Sequence, residues 1–499
     1  MRSEKEKAYL AYKEKNNAYR LMINTVDFDN QTIAPSMGSD YRENALAIIT
    51  GESYTIETAA EYVTLIEELS KEDLGLEMNR EILLAKRHLD AISCLSKEEV
   101  MEWSKLCSIS FRHWVEAKKA KNYRLFENDL KELISFSKKI AYKRNPSKDP
   151  YDLYLDDFEE GMTKKDYDAF FNLIREELSP LVKKIALKQE EIDDSFLYLN
   201  YPIAKQKELS KKLIKFLNFD PSWGVLAISE HPFTSGFSTN DVRVTTAYNE
   251  HDISSNIYSI IHEVGHAFYE HQVKLEYEGM NLHTDISSGM HESQSRFFEN
   301  YIGKRKSFIA NIYPELQELF PEQLKDVSLD DFYRAVNHSR PSLIRTDADE
   351  LTYPLHILVR YEIEKSIFDG TADLDHLDEL WANKYEEYLG IRPSDDALGI
   401  LQDVHWSDAS FGYFPTYALG SALGAQLIKA MEKDIDIDKE LEKGNFMAIS
   451  SWLKDKIQRH GALYTFKEAV VNATGEEFNP QYYVDYLKKK YSELYHIED

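Results

Sequence analysis

The run from Asp252 to Glu270 reads DISSNIYSIIHEVGHAFYE, and the interpretation of the whole chain starts from it. Ile257, Ile260, Ile261, Val264 and Phe268 recur at the spacing of one helix face, and Asp252, Ser254 or Ser255 can cap the helix start. His262 and His266 stand one turn apart beside that apolar stripe, so two imidazole nitrogens can share one tetrahedral metal. Glu263 lies between them, next to the position of a metal-activated water, and is the candidate general base. Gly265 admits two readings: room for a substrate backbone near the metal, or close packing against another helix.

A third ligand must come from elsewhere. Glu270 is on the same face but too far along the helix, and is expected behind the ligands or at the surface. Tyr269 and Gln272 stand where Gly and His would continue a metzincin motif, which excludes that branch. Downstream, Asp285-Ile286-Ser287-Ser288 opens a second helix that runs through His291-Glu292-Ser293-Gln294-Ser295-Arg296. Met290, Phe297, Phe298 and Tyr301 give it a packing face, which leaves Glu292 and Glu299 on another side. Either glutamate completes a His₂Glu set with one open position, the arrangement of catalytic zinc sites.

Around this centre the chain reads as mainly helical. Amphipathic segments such as Glu98–Lys118 and Tyr123–Arg144 fill the first two hundred residues, broken at Pro146, Pro150 and Asp220-Pro221. Two strands are expected, around Trp223–Ser229 and Asp241–Tyr248, joined by a turn rich in Gly, Ser, Thr and Asn. No Gly-, Ser- or Pro-rich linker divides the 499 residues. The expectation is a single catalytic domain over 1–499, with 1–220 as a helical wall or lid, 221–420 bearing the motifs and 421–499 as C-terminal helices. The net charge of −27 argues against nucleic acid or anionic membrane as the main partner. Two cysteines, a charged N-terminal MRSEKEKAYLAYKEK and the lack of a run of about 20 apolar residues point to a cytoplasmic enzyme without a secretory signal or membrane span.

Six motifs, in order, resemble those of the carboxypeptidase Taq family of zinc metallocarboxypeptidases. They are His231-Pro232-Phe233; Asp241-Val242-Arg243-Val244-Thr245; His262–His266; His291-Glu292-Ser293-Gln294; Ile344-Arg345-Thr346-Asp347-Ala348-Asp349; and Gly399-Ile400-Leu401-Gln402-Asp403-Val404-His405-Trp406. The resemblance puts the zinc ligands on His262, His266 and Glu292 and the catalytic acid/base on Glu263, so it decides for Glu292 over Glu299. It also implies a helical fold with a deep central groove and a small β-sheet beside the metal helix, like that of neurolysin and angiotensin-converting enzyme. Homodimers and one zinc per chain follow from it, with cobalt as a substitute. Manganese is also compatible with a His₂Glu set. The N-terminal third carries no matching motif.

A carboxypeptidase has to recognise a free terminal carboxylate, which favours a fixed guanidinium. Arg345 is the first candidate, oriented by Asp347, Asp349 and Glu350, with a purely structural salt bridge as its alternative. Arg243 is the second. It shares a strand face with Thr245, and pairing with Asp241 is its structural alternative. His231 sits in an extended turn before Pro232. For the developing oxyanion, His405, Tyr413 and Tyr417 are the candidate donors, a tyrosine being favoured; core packing is the alternative for each. The substrates expected are peptides with a free C-terminus, and an endo-acting oligopeptidase on the same chemistry is the competing function.

Overall fold

The computed structural model describes residues 2–497. Its helices begin and end where local chemistry directs. Helix α1, Glu4–Thr32, opens on a capping box between Ser3 and Glu6. Helix α2, Lys97–Ala120, opens on another between Ser96 and Glu99, with Lys118 and Lys119 at the carbonyl end. Helix α3, Glu127–Arg144, starts later than its apolar periodicity suggests. The Asn122 side chain accepts from Arg124 N–H and winds Tyr123–Leu125 into a separate 3₁₀ turn. Helix α4 spans Ile203–Phe216.

A three-stranded sheet follows, with β1 Gly224–Ile228, β2 Thr234–Ser238 and β3 Asp241–Thr246, in the order β1-β3-β2. This corrects the sequence expectation. The segment between the two expected strands is itself a strand, and β1 and β3 are parallel neighbours. A parallel pair needs a return connection, and β2 supplies it by running antiparallel to β3.

Helix α5, Ile253–Gln272, carries the His-Glu-x-x-His motif and is capped by Asp252, whose side chain accepts from Ser254 and Ser255 N–H. Helix α6, Ser288–Arg296, is capped by Ser287 and continues as a π-helical segment over Phe297–Gly303. Helices α7, Tyr353–Phe368, and α8, Phe414–Met431, each have proline in the first turn, where the missing N–H costs nothing. Nearly every residue of α8 is buried, as in a helix packed on all sides. α5, α6 and α8 approach closely through glycines. A Cβ on Gly265 would lie 2.7 Å from the Gln294 carbonyl oxygen and the Ser295 Cα of α6, so close helix packing explains that glycine. A Cβ on Gly420 of α8 would meet Glu292 Cβ at 2.9 Å. Buried apolar residues from Tyr9 to Tyr495 join in one cluster around these helices.

Candidate metal centre

His262 and His266 project from α5 and meet Glu292 from α6. The His262 and His266 Nε2 atoms lie 3.7 and 3.5 Å from the same Glu292 oxygen, Oε2. One ligand atom from each of the three lies within 4.8 Å of the others, a spacing at which a single divalent ion can take all three. Glu299 stands behind this set, its Oε2 2.8 Å from His262 Nδ1. A carboxylate on the far ring nitrogen fixes the tautomer that leaves Nε2 free for a metal. The second oxygen of Glu292 accepts from Arg296 Nε at 2.7 Å, and Arg296 Nη1 reaches Glu299 Oε2 at 3.2 Å. Glu270 is half-buried against His291, Oε1 to Nε2 3.0 Å, and His291 stacks on His266.

The charges reinforce this arrangement. Burial pushes His266 down to about 3, helped by the His291 charge, so its imidazole is neutral, as a ligand must be. Burial acts the same way on His262, but Glu292 and Glu299 outweigh it and raise its pKa. Burial alone would raise Glu292, yet Arg296, His262 and His266 hold it well below the usual carboxylate range. Glu263 is raised, mainly by burial, with His262 and Thr234 opposing. The Thr234 hydroxyl lies 2.6 Å from Glu263 Oε2 and 3.0 Å from the Glu263 carbonyl, so β2 fixes the rotamer of the candidate base.

A second cluster forms around Arg345, which is buried. Its orientation comes from a different carboxylate than expected. Asp403 Oδ1 accepts from Arg345 Nε at 2.9 Å, and Asp403 Oδ2 accepts from Arg360 Nε at 2.7 Å. The adjacent acidic run is used elsewhere: Asp349 binds Ser339 and Thr352, and Glu350 pairs with Lys490. Arg345 Nη1 is 3.3 Å from the Tyr353 hydroxyl, and Nη2 takes no partner among the described residues. The guanidinium lies over the Tyr417 ring at 4.9 Å, and Tyr353 lies under Arg296 at 4.4 Å, which links the two clusters. His405 Nε2 is 3.4 Å from the Tyr417 hydroxyl, and Tyr413 packs against both rings. Burial lowers His405 to about 4, so it is neutral. Tyr413 and Tyr417 are raised, chiefly by burial, and the charge of Glu292 adds to both. On the sheet, Arg243 is paired with Asp241 at 2.8 Å and stacked on Phe237 at 4.0 Å, the structural alternative considered for it. His231 is exposed. Among the described residues no hydrogen bond or ion pair joins Arg243 or His231 to the histidine–glutamate cluster.

Residues 8–491 match the family described as carboxypeptidase Taq (M32) metallopeptidase. The chain belongs to this family. It is a metallocarboxypeptidase, a peptide hydrolase that works with a divalent metal ion. It is 41% identical to carboxypeptidase 1 of Bacillus subtilis (strain 168) over 493 residues, 98% of each chain. It is 34% identical to thermostable carboxypeptidase 1 of Pyrococcus furiosus, covering 93% of this chain and 94% of that one. The M32 carboxypeptidase of Deinococcus radiodurans R1 superposes with a TM-score of 0.96 at 30% identity, over 99% of this chain and all of the other.

Three residues of this candidate site carry no role in the sequence reading. Arg296 had a signal, since it follows Glu292 by four positions and precedes Glu299 by three, the spacings of helical ion pairs. Thr234 had none, because β2 reads as a turn. Tyr353 lies eight residues beyond Arg345, and only the bend between them brings the two together.

Proposed function

We propose that the metal is zinc, one ion per chain, held by His262, His266 and Glu292, and that the enzyme releases C-terminal residues from peptides with broad specificity. The observation that carries this reading is the convergence of two Nε2 atoms on one Glu292 oxygen, with Glu263 adjacent and locked by Thr234. A zinc ion held there would supply Lewis acidity, polarising the scissile carbonyl and acidifying water. Glu263 is placed to accept a proton from the attacking water and return it to the leaving amine, and its raised pKa suits both roles. Glu299 and Arg296 keep His262 and Glu292 in their ligating orientation. Arg345, with Nη2 open and its plane set by Asp403, pairs with the terminal carboxylate. A hydroxyl of Tyr413 or Tyr417, with His405 behind it, donates to the oxyanion.

We assign the 499 residues to one catalytic unit, which the single buried cluster supports. The family resemblance supports a homodimer, and the unpaired Cys94 and Cys107 support a reducing, cytoplasmic setting. Product mapping by mass spectrometry on a mixed peptide pool tests the activity. Free C-termini should lose residues, amidated ones should not, chelator should stop the loss and zinc should restore it. Equal cleavage of free and amidated peptides would reject the assignment.

A further inference from the structure

Among the described residues β1 is the outer strand of the sheet and pairs only with β3. In a parallel ladder alternate residues bond to the neighbour and the rest face away. The Trp223 carbonyl accepts from Val242 N–H at 2.9 Å, and Ser229 N–H donates to the Thr246 carbonyl at 3.2 Å, so the odd-numbered residues face β3. The backbone groups of Leu226 and Ile228 therefore face outward. Val225 and Ile228 are 46% and 47% exposed, and β1 itself has no charge or proline to blunt its edge.

A groove of about 770 Å³ runs between this edge and α4. Lys207, Lys211 and Lys215 line it, spaced four apart on one helix face, with Lys207 5.7 Å from the Tyr248 ring centre. Among the described residues none of the three has an ion-pair partner. Their neighbours on the same helix do: Lys205 pairs with Glu208 and Lys212 with Glu315. The one carboxylate in the lining, Asp220, already accepts from Ser222 N–H at 2.7 Å. Three like charges at this spacing repel one another, and Asp220 is the one carboxylate set against them in the lining, although the chain carries a net charge of −27. These lysines stand on α4 and line the groove opposite the edge rather than projecting from the strand itself. An apolar edge with free backbone groups, opposite unpaired cations, is complementary to a segment both extended and acidic.

We propose that the β1 edge and Lys207, Lys211 and Lys215 form a docking site for an extended acidic polypeptide segment, which adds to the sheet as a fourth strand. Pairing with Leu226 and Ile228 holds the segment's backbone, and the lysines select its acidic side chains. The test uses a fluorescent peptide of alternating Glu and Val, acetylated and amidated so that the carboxypeptidase cannot trim it, and reads anisotropy on the full-length enzyme. Saturable binding is expected. It should weaken by about tenfold or more when Gln replaces Glu, when alternate peptide nitrogens are methylated, and in the Lys207→Glu/Lys211→Glu/Lys215→Glu variant, while that variant hydrolyses peptides within about twofold of wild type. Absence of saturable binding would overturn the proposal. So would equal binding of the Gln or methylated peptide, undiminished binding to the variant, or displacement by a peptide with a free C-terminus.

Discussion

His262 and Glu292 each use both of their polar ends. One side of each side chain faces the proposed metal position, and the other is held by Glu299 or Arg296. The two layers therefore separate in experiment. Glu263→Gln keeps the shape and the Thr234 contact but cannot carry the proton, so turnover should fall at least about 10²–10⁴-fold while metal content, measured by atomic emission, stays at the wild-type level. Glu299→Gln should act the other way, weakening metal affinity by roughly 10–100-fold in a competitive chelator titration. Arg345→Lys keeps a charge but loses the fork that Asp403 orients. Its kcat/KM on peptides with free C-termini should drop by about 10–100-fold, with the loss mainly in KM, as expected for a charged hydrogen bond of about 1.5–3 kcal/mol.

At the scale of elements, the site depends on how closely α5, α6 and α8 approach. The histidines belong to one helix and the glutamate to another, so the spacing of the proposed ligands is a helix–helix distance. Gly265→Ala would put a methyl group 2.7 Å from backbone atoms of α6, which cannot rotate away as a side chain can. The helices must then separate, at about 1–3 kcal/mol. The variant should show a lower denaturation midpoint and weaker metal binding together, although it alters no ligand. A normal metal affinity in a destabilised Gly265→Ala protein would mean that the contact does not set the ligand spacing. β2 contributes similarly, since the short Thr-Ser-Gly-Phe-Ser strand holds Glu263 through Thr234.

Across the whole molecule, buried carboxyls join distant segments. Glu364 on α7 accepts from Trp406 Nε1 at 2.7 Å, Gly412 N–H at 2.8 Å and the Tyr151 hydroxyl at 2.9 Å, which pins the loop that carries His405 and Tyr413. Burial raises this carboxyl to about 7 against the opposing hydrogen bonds. A folded-state pKa above the unfolded value of about 4.3 means that the folded chain keeps a proton that the unfolded chain has lost. The stabilisation is complete below about pH 4.3 and is lost as pH rises to about 7, a change on the order of 3 kcal/mol. Glu364→Gln mimics the protonated form. Relative to wild type it should gain stability over that pH interval, read from urea midpoints at several pH values; a constant difference would show that Glu364 is ionised in the folded protein.

What the residues determined alone was whatever is local. The period of Ile257–Phe268 and the cap at Asp252 define a helix, and a helix places His262 and His266 on one face without help from the rest of the chain. The second helix and its packing residues were equally legible, as was the helical class. The strand β2, the choice of Asp403 over Asp347, Asp349 and Glu350 to hold Arg345, and the layering of Glu292 before Glu299 belong to the tertiary structure. A sequence periodicity reports which face of an element is buried. It carries no information on which distant carboxylate will share that burial, because partners such as Arg345 and Asp403, 58 residues apart, meet only in the folded chain.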